Sequence, residues 1–330
     1  MKKLFAILAV VAMVLGLSAC SNEPAGPKTV KVGIAIYKFD DTFMTNYRTE
    51  MKAYFETKNT DDVKYEVEVT DGKNDQVTQT EQIDTFIAQD YDVLIINLVD
   101  LTAASAIIAK VKAADIPTVF INRQPSDADM ASWDKITYVG AKAEDSGTFQ
   151  GEIIVDLWKK ADSKVDKNKD NKLQYVMLMG QAIHQDATLR TEYSIKAVTA
   201  AGIEVVKLFE ERGEWDRVKG QEKMATAITQ FGSQIEVVFA NNDDMALGAI
   251  EALKAANMMD IPVVGVDATA PALDAIKNGT LVGTVLNDST GQAHTSVDSA
   301  IKLLAGDALE KLQWVPYVKV TPENYTQFVK

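Results

Sequence analysis

The stretch Asp92 to Leu98 reads DVLIINL, seven residues with no polar interruption between Asp92 and Asn97. A strand with one wet face alternates apolar and polar residues. A continuous run of this length, rich in branched side chains, is the mark of a strand covered on both faces, as in parallel sheets. The flanks agree. VKVGIAIY (30–37) is a second β-rich run, followed by a helical pattern from Asp41 to about Lys58. YEVEVTD (65–71) alternates, and Gln76 to Ala88 reads as helix. A helix over 103–114 and a strand PTVFIN (117–122) follow, with Pro117 admissible only at the strand's start. The second half repeats the scheme. Strands at 173–180, 203–209, 235–241, 261–267 and 281–287 alternate with helices at 187–201, 216–230, 243–257 and 270–278. Such alternation predicts an α/β fold built of βαβ units with parallel-sheet cores.

The N-terminus points to a compartment. Lys2 and Lys3 precede an apolar run from Leu4 to Leu17, closed by Leu17-Ser18-Ala19-Cys20. About 14 apolar residues are short for a membrane span and suit a secretory leader. Cys20 is the only cysteine in the chain, so it has no disulfide partner within it. The small residues before it resemble a bacterial lipobox, which implies lipidation at Cys20 and an extracytoplasmic protein held to the membrane by acyl chains. Residues 21–29 read as a polar tether. Removing Lys2 and Lys3 with the leader leaves 32 basic against 47 acidic residues, a formal charge of −15. That field disfavours nucleic acid and anionic lipid as partners. The remaining 310 residues exceed one comfortable core, and two lobes are expected.

Polar residues recur where strands end: Asn122, Asn242, Asp267 and Asn287. Asn and Asp are ordinary turn formers, yet ligands of open parallel sheets bind beyond the carboxyl ends of strands. YKFDDTFM places Asp41 and Phe43 at a helix start, where an Asp is commonly just an N-cap. GQAIHQDATLRTEY brings His184, Asp186 and Arg190 within seven residues; the plain reading of Asp186 and Arg190 is an exposed i,i+4 ion pair. Trp215 stands just before a helix, and His294, in a polar helix, is expected to be solvated. Together these side chains suit an uncharged sugar, whose hydroxyls donate and accept and whose C–H faces lie against flat rings. Catalysis finds little support. No G-x-S-x-G elbow or Gly-rich phosphate loop is present, and adjacent Asp40 and Asp41 cannot flank a scissile bond. DKNKDNKLQ (166–174) opens like a calcium loop, with Asp166, Asn168 and Asp170 in alternation, but its twelfth position is Met177, which cannot ligate a hard cation.

The blocks IYKFDDTFM, INLVD (96–100), FINRQPS (120–126), DKNKDNKLQ, HQDATLR, IEVVFANNDDMALGAIEALKA, IPVVGVDA and GTVLND carry a likeness that spans nearly all of residues 30–330. The chain resembles the periplasmic-binding-protein family that serves sugar ABC transporters, and within it the galactose/glucose-binding branch. The resemblance implies two Rossmann-like lobes joined by a three-segment hinge, with residues 30–141 and 288–313 in one lobe and 142–287 and 314–330 in the other. It implies a D-galactose/D-glucose site made of Asp41, Phe43, Asn122, His184, Asp186, Arg190, Trp215, Asn242, Asp267 and Asn287. It further implies a structural Ca²⁺ held by Asp166, Asn168, Asp170, the Lys172 carbonyl, Gln174 and a borrowed Glu236. Asn171 stands where glycine is usual, and Lys167, Lys169 and Lys172 add positive charge. The implied protein is a monomer whose partners are a hexose, an ABC permease and a chemotaxis transducer, and it performs no reaction. Receptors for a pentose or furanose on the same fold, and the ligand-sensing cores of sugar repressors, are the alternatives.

Overall fold

The computed structural model describes residues 26–329. The leader, Cys20 and most of the tether lie outside the described residues. In the first half, β1 (Lys28–Ile36), β2 (Val63–Asp71), β3 (Val93–Ile96), β4 (Thr118–Ile121) and β5 (Ile136–Gly140) alternate with helices. These are α1 (Thr42–Thr57), α2 (Gln76–Ala88), α3 (Ala104–Ala113) and the short α4 (Asp127–Ala131). The second half holds β6 (Lys172–Met179), β7 (Glu204–Arg212), β8 (Val237–Ala240), β9 (Val263–Val264) and β10 (Thr284–Leu286). Its helices are α5 (Ala143–Trp158), α6 (Gln185–Ala200), α7 (Arg217–Phe231), α8 (Asp243–Ala255) and α9 (Ala270–Lys277). Helix α10 (Ser289–Ala305) and strands β11 (Leu312–Trp314) and β12 (Val318–Val320) complete the chain.

Two parallel sheets result. The first has the order β11-β5-β4-β3-β1-β2; the second runs β7-β6-β8-β9. Isolated parallel bridges, Val264 to Gly283 and Asp267 to Leu286, tie the β10 segment to the second sheet, and β10 pairs antiparallel with β12. The chain therefore passes between lobes after Gly140, after Leu286 and after Trp314. The run that opened the sequence reading is β3, buried at every residue between two strands of the first sheet. Helix α1 shows how helices close over that sheet. It buries Phe43, Tyr47, Met51 and Phe55, spaced four apart along one stripe, against β1 and α10.

Several elements differ from the sequence reading. The expected strand over 261–267 shrinks to two residues and that over 281–287 to three, with isolated bridges between Val264 and Gly283 and between Asp267 and Leu286. Helix α6 begins at Gln185 rather than 187, since His184 caps it through its ring. Helix α5, for which the sequence pattern held no expectation, carries Gly147 and Gly151. A Cβ at those positions would stand 2.7 Å from the Arg190 carbonyl and 2.4 Å from that of Ser194, so the glycines exist to let α5 and α6 touch backbone to backbone.

Candidate functional site

All ten residues implied for the sugar site line one pocket between the lobes, with about 340 Å³ of atom-free space including its mouth. Each follows the carboxyl end of a strand: Asp41 and Phe43 after β1, Asn122 after β4, His184, Asp186 and Arg190 after β6, and Trp215 after β7. Asn242, Asp267 and Asn287 follow β8, β9 and β10. That is where an open parallel sheet gathers side chains from many elements.

The first lobe supplies three of them. Asp41 caps α1, accepting from Met44 N at 2.7 Å, while its other oxygen accepts from the Tyr37 hydroxyl at 2.5 Å. Its carboxylate is thus aimed, yet stays half-buried. Phe43 sits edge-on to Tyr47. Asn122 adopts φ 61°, a left-handed backbone that Asn tolerates better than most residues. Asn97 donates to its side-chain oxygen at 3.1 Å.

The second lobe supplies the rest, more deeply enclosed. Arg190 and Asp186 form the i,i+4 pair foreseen as exposed, and here the reading is corrected: both side chains are buried, 3.1 Å apart. Arg190 also donates to the Asn241 carbonyl (2.8 Å) and Tyr317 hydroxyl (2.9 Å). Burial works against its charge, but Tyr317, Asp186 and Asp267 hold it firmly protonated. Burial likewise raises Asp186, to about 6, against the pull of Arg190. His184 accepts from Asp186 N through Nδ1 at 3.1 Å, so its proton belongs on Nε2, which faces Asn122 Oδ1 at 3.3 Å. Burial, with Arg123 and Arg190 nearby, lowers His184 well below its ordinary value and keeps the ring neutral. Burial also raises Asp267 well above the usual carboxylate range, Arg190 opposing and Asp243 reinforcing. Asn287 donates to Asp267 at 3.2 Å.

Trp215 lies at φ 67° in the turn before α7, against the Cα of Gly180. A Cβ there would stand 2.0 Å from the indole, so only glycine admits the ring. The indole Nε1 and Arg190 Nε are buried donors with no protein acceptor, two groups left to read a ligand. Sequence reasoning missed Tyr37, Met44 and Arg123, which also line the pocket. Tyr37 ends a strand run, and nothing local marks it as the partner of Asp41. His294, expected to be solvated, keeps 37% of its side chain exposed while stacking on Tyr54 at 3.7 Å and pairing with Glu50 at 2.7 Å.

The loop at 166–174 lies far from this cleft in the fold, at the start of β6. Asp166 accepts from the amides of Asp170 and Asn171, Asn168 from that of Asp170, and Asp170 from that of Lys172. Glu236, just before β8, reaches back to accept from Lys167, Asn168 and Gln174 amides. Burial raises its carboxyl against those bonds. Asn171 takes φ 61°, the conformation a glycine would supply. Lys167 and Lys172 are drawn off into ion pairs with Asp260 (2.8 Å) and Glu204 (2.6 Å). Among the described residues, no three carboxylate, imidazole or thiol groups converge as a bare cluster. The donor set is instead a mixture, and Gln174 Oε1 is buried with no protein partner. Mixed carboxylate and neutral oxygens of this kind suit Ca²⁺.

Comparison with known proteins places this geometry in a class. The chain matches the periplasmic binding protein domain over residues 32–308. It is 38% identical over 335 residues to the D-galactose/methyl-galactoside binding periplasmic protein of Haemophilus influenzae, covering 98% of this chain and 99% of that one. A Rhizobium meliloti chain, provisionally named a rhizopine-binding protein, is 36% identical over 322 residues, covering 96% and 97%. An ABC transporter solute binding protein of Bacillus halodurans, solved with bound myo-inositol, superposes with a TM-score of 0.79 at 31% identity, over 93% of this chain and 99% of that one. The chain belongs to the periplasmic-binding-protein family of sugar ABC transporter substrate-binding proteins. It is a binding protein and not an enzyme, and its place is outside the cytoplasm.

Proposed function

We propose that this protein captures an unmodified hexopyranose of the galactose/glucose type and presents it, enclosed, to the permease of an ABC importer. The observation that carries this is the composition of the cleft. A ring from each lobe, Phe43 and Trp215, accompanies three carboxylates, three amides, a neutral imidazole and a guanidinium around one small space. Carboxylates accept from hydroxyls, Arg190 donates, and amides do both, so a neutral polyol is matched without being attacked. The likeness to the Haemophilus galactoside-binding protein favours a hexose. The likeness to the myo-inositol complex makes a cyclitol the second reading, since it also offers hydroxyls around an apolar face. A sugar that touches both lobes favours closure by its differential affinity for the closed form, and a permease or a chemotaxis transducer would read that shape.

Two further assignments belong to this reading. Ca²⁺ bound by Asp166, Asn168, Asp170, the Lys172 carbonyl, Gln174 and Glu236 would pin the loop before β6. Acylation of Cys20 would hold the mature chain at the membrane. The test is calorimetric titration with galactose, glucose, ribose, xylose and myo-inositol, with and without EDTA. Hexose binding at about micromolar affinity or tighter is expected, as befits a well-enclosed polar site. Tighter binding of myo-inositol or ribose than of either hexose would overturn the substrate. Chelation is expected to lower the melting temperature and leave hexose stoichiometry at one. Mass spectrometry of the membrane-extracted protein is expected to find an acylated Cys20 as its first residue.

A further inference from the structure

Arg123 is completely buried beside the pocket, and its surroundings are unusual for a cation. Its guanidinium carbon lies 3.9 Å from the centre of the Tyr37 ring, and Nη1 donates to the Val99 carbonyl. Both partners belong to the first lobe. Its Nη2 finds its acceptor elsewhere: Gln181 Oε1, at 2.7 Å, from the turn between β6 and α6 in the second lobe. The same amide then donates from Nε2 to Asn74 Oδ1, 3.2 Å away and back in the first lobe. Gln181 is therefore gripped at both ends by the opposing lobe. Its own carbonyl accepts from His184 N at 3.2 Å, which fixes it to the turn that presents His184 to the cleft.

From this geometry we infer that Gln181 and Arg123 form a built-in latch across the cleft, one that stabilises the closed form with or without ligand. Parting the lobes strips Nη2 of its acceptor, while the Tyr37 stack and Val99 still hold the guanidinium in place. Hydrogen bonds to a charged group are among the stronger ones, and this one exists only when the lobes meet. Among the described residues, other hydrogen bonds also join the lobes, such as Thr42 to Asp244 (2.5 Å) and Asn122 to His184, but the Arg123 bond is the one made by a fully buried cation. The latch also reaches the site, because the Tyr37 ring stacked on Arg123 ends in the hydroxyl that aims Asp41. That chain of contacts lies within the first lobe, so the latch joins the second lobe to the group that aims the sugar-facing carboxylate. Gln181 touches no ligand in this scheme; it is a positioning residue acting through Arg123.

The inference rests on the cleft being a clamp for a small polyol, and one arm of its test does not. In the full-length chain without sugar, hydrogen–deuterium exchange over residues 180–187 and 122–123 reads spontaneous opening. Gln181→Ala is expected to accelerate exchange there and leave β3 and β8 unchanged. Gln181→Glu, which offers the guanidinium a carboxylate, is expected to slow it or match the native chain. In the second arm, stopped-flow tryptophan fluorescence follows release of galactose. Gln181→Ala is expected to raise the dissociation rate about tenfold with the association rate within about twofold, the pattern of a lost charge-assisted bond in the closed state. Equal exchange in all three proteins, or equal acceleration by Ala and Glu, would overturn the latch. If galactose gives no signal the hexose reading fails, and the exchange arm still decides the latch.

Discussion

The two lobes meet the ligand space on different terms. From the first lobe come Asp41 and Asn122, half-buried, and Phe43 on the flank of α1. From the second come His184, Asp186, Arg190, Trp215, Asn242, Asp267 and Asn287, all buried and bonded to one another or to backbone around them. Asn242 caps α8 and grips the Trp215 carbonyl; Gln292 donates to Asn287, which donates to Asp267. The second lobe is a preorganised template, and the first is a jaw that closes on it. Groups held by neighbours lose little freedom when a ligand arrives, so affinity should concentrate in the template.

The harshest way to break that comparison is Arg190→Met. It leaves Asp186 buried without its counter-charge, and a loss of about 3–5 kcal/mol in folding stability is expected, with affinity falling at least about a hundredfold. Denaturant melts and calorimetry read both. Asp41→Ala, in the jaw, should separate the two effects. Affinity is expected to drop about thirtyfold or more, while stability changes by only about 1 kcal/mol, the value of an N-cap. If the two variants lose affinity and stability in the same ratio, the lobes do not differ as described.

Acidity sharpens the comparison further. Asp186, raised to about 6, gains a proton as pH falls through that value, and Arg190 then loses its charged partner. Hexose affinity is therefore expected to be flat from pH 7 to 9 and to weaken below about 6, and Asp186→Asn to flatten that fall. His184 acts on stability in the opposite sense to a raised acid. Its folded form resists protonation, so its contribution is intact above the ordinary value of 6.5 and is lost as pH drops below it. His184→Asn, which keeps a cap on α6, should narrow the difference in melting temperature between pH 8 and pH 5. The smallest effect is expected at the rim, where Thr42→Val removes one bond to Asp244 and should weaken binding less than about fivefold.

Much of the architecture could be read from local pattern. The apolar run that became β3 and the four-residue spacing of α1 are statements about one element each, and periodicity records them. Helix α5 was not readable, because its glycines serve a neighbour 43 residues on, and single-chain pattern does not carry tertiary contact. The short β11 and β12 are three residues each, below the length at which alternation is recognisable. The ten pocket residues were marked one by one at strand ends and helix starts, but their gathering into a single site rested on likeness to a family. Their neighbours Tyr37, Arg123 and Gln181 escaped because each is defined by a partner on a different element, 4, 24 or 58 positions away. The burial of the Asp186–Arg190 pair was missed for the same reason: a helix wheel shows which side chains share a face, but not what covers it.

Three of the pocket side chains, on Asn122, Trp215 and Asp267, hang from backbone with φ of 61°, 67° and 123°. Anyone retargeting this receptor to a new cargo inherits that fact as a restricted alphabet. At 122 and 267, replacements drawn from Asn, Asp and Gly keep the turn, whereas valine or isoleucine would be rejected by the main chain before any cargo was offered. Libraries aimed at positions 41 and 43 carry no such handicap, so new selectivity is better sought at the helix start than at the strand tips.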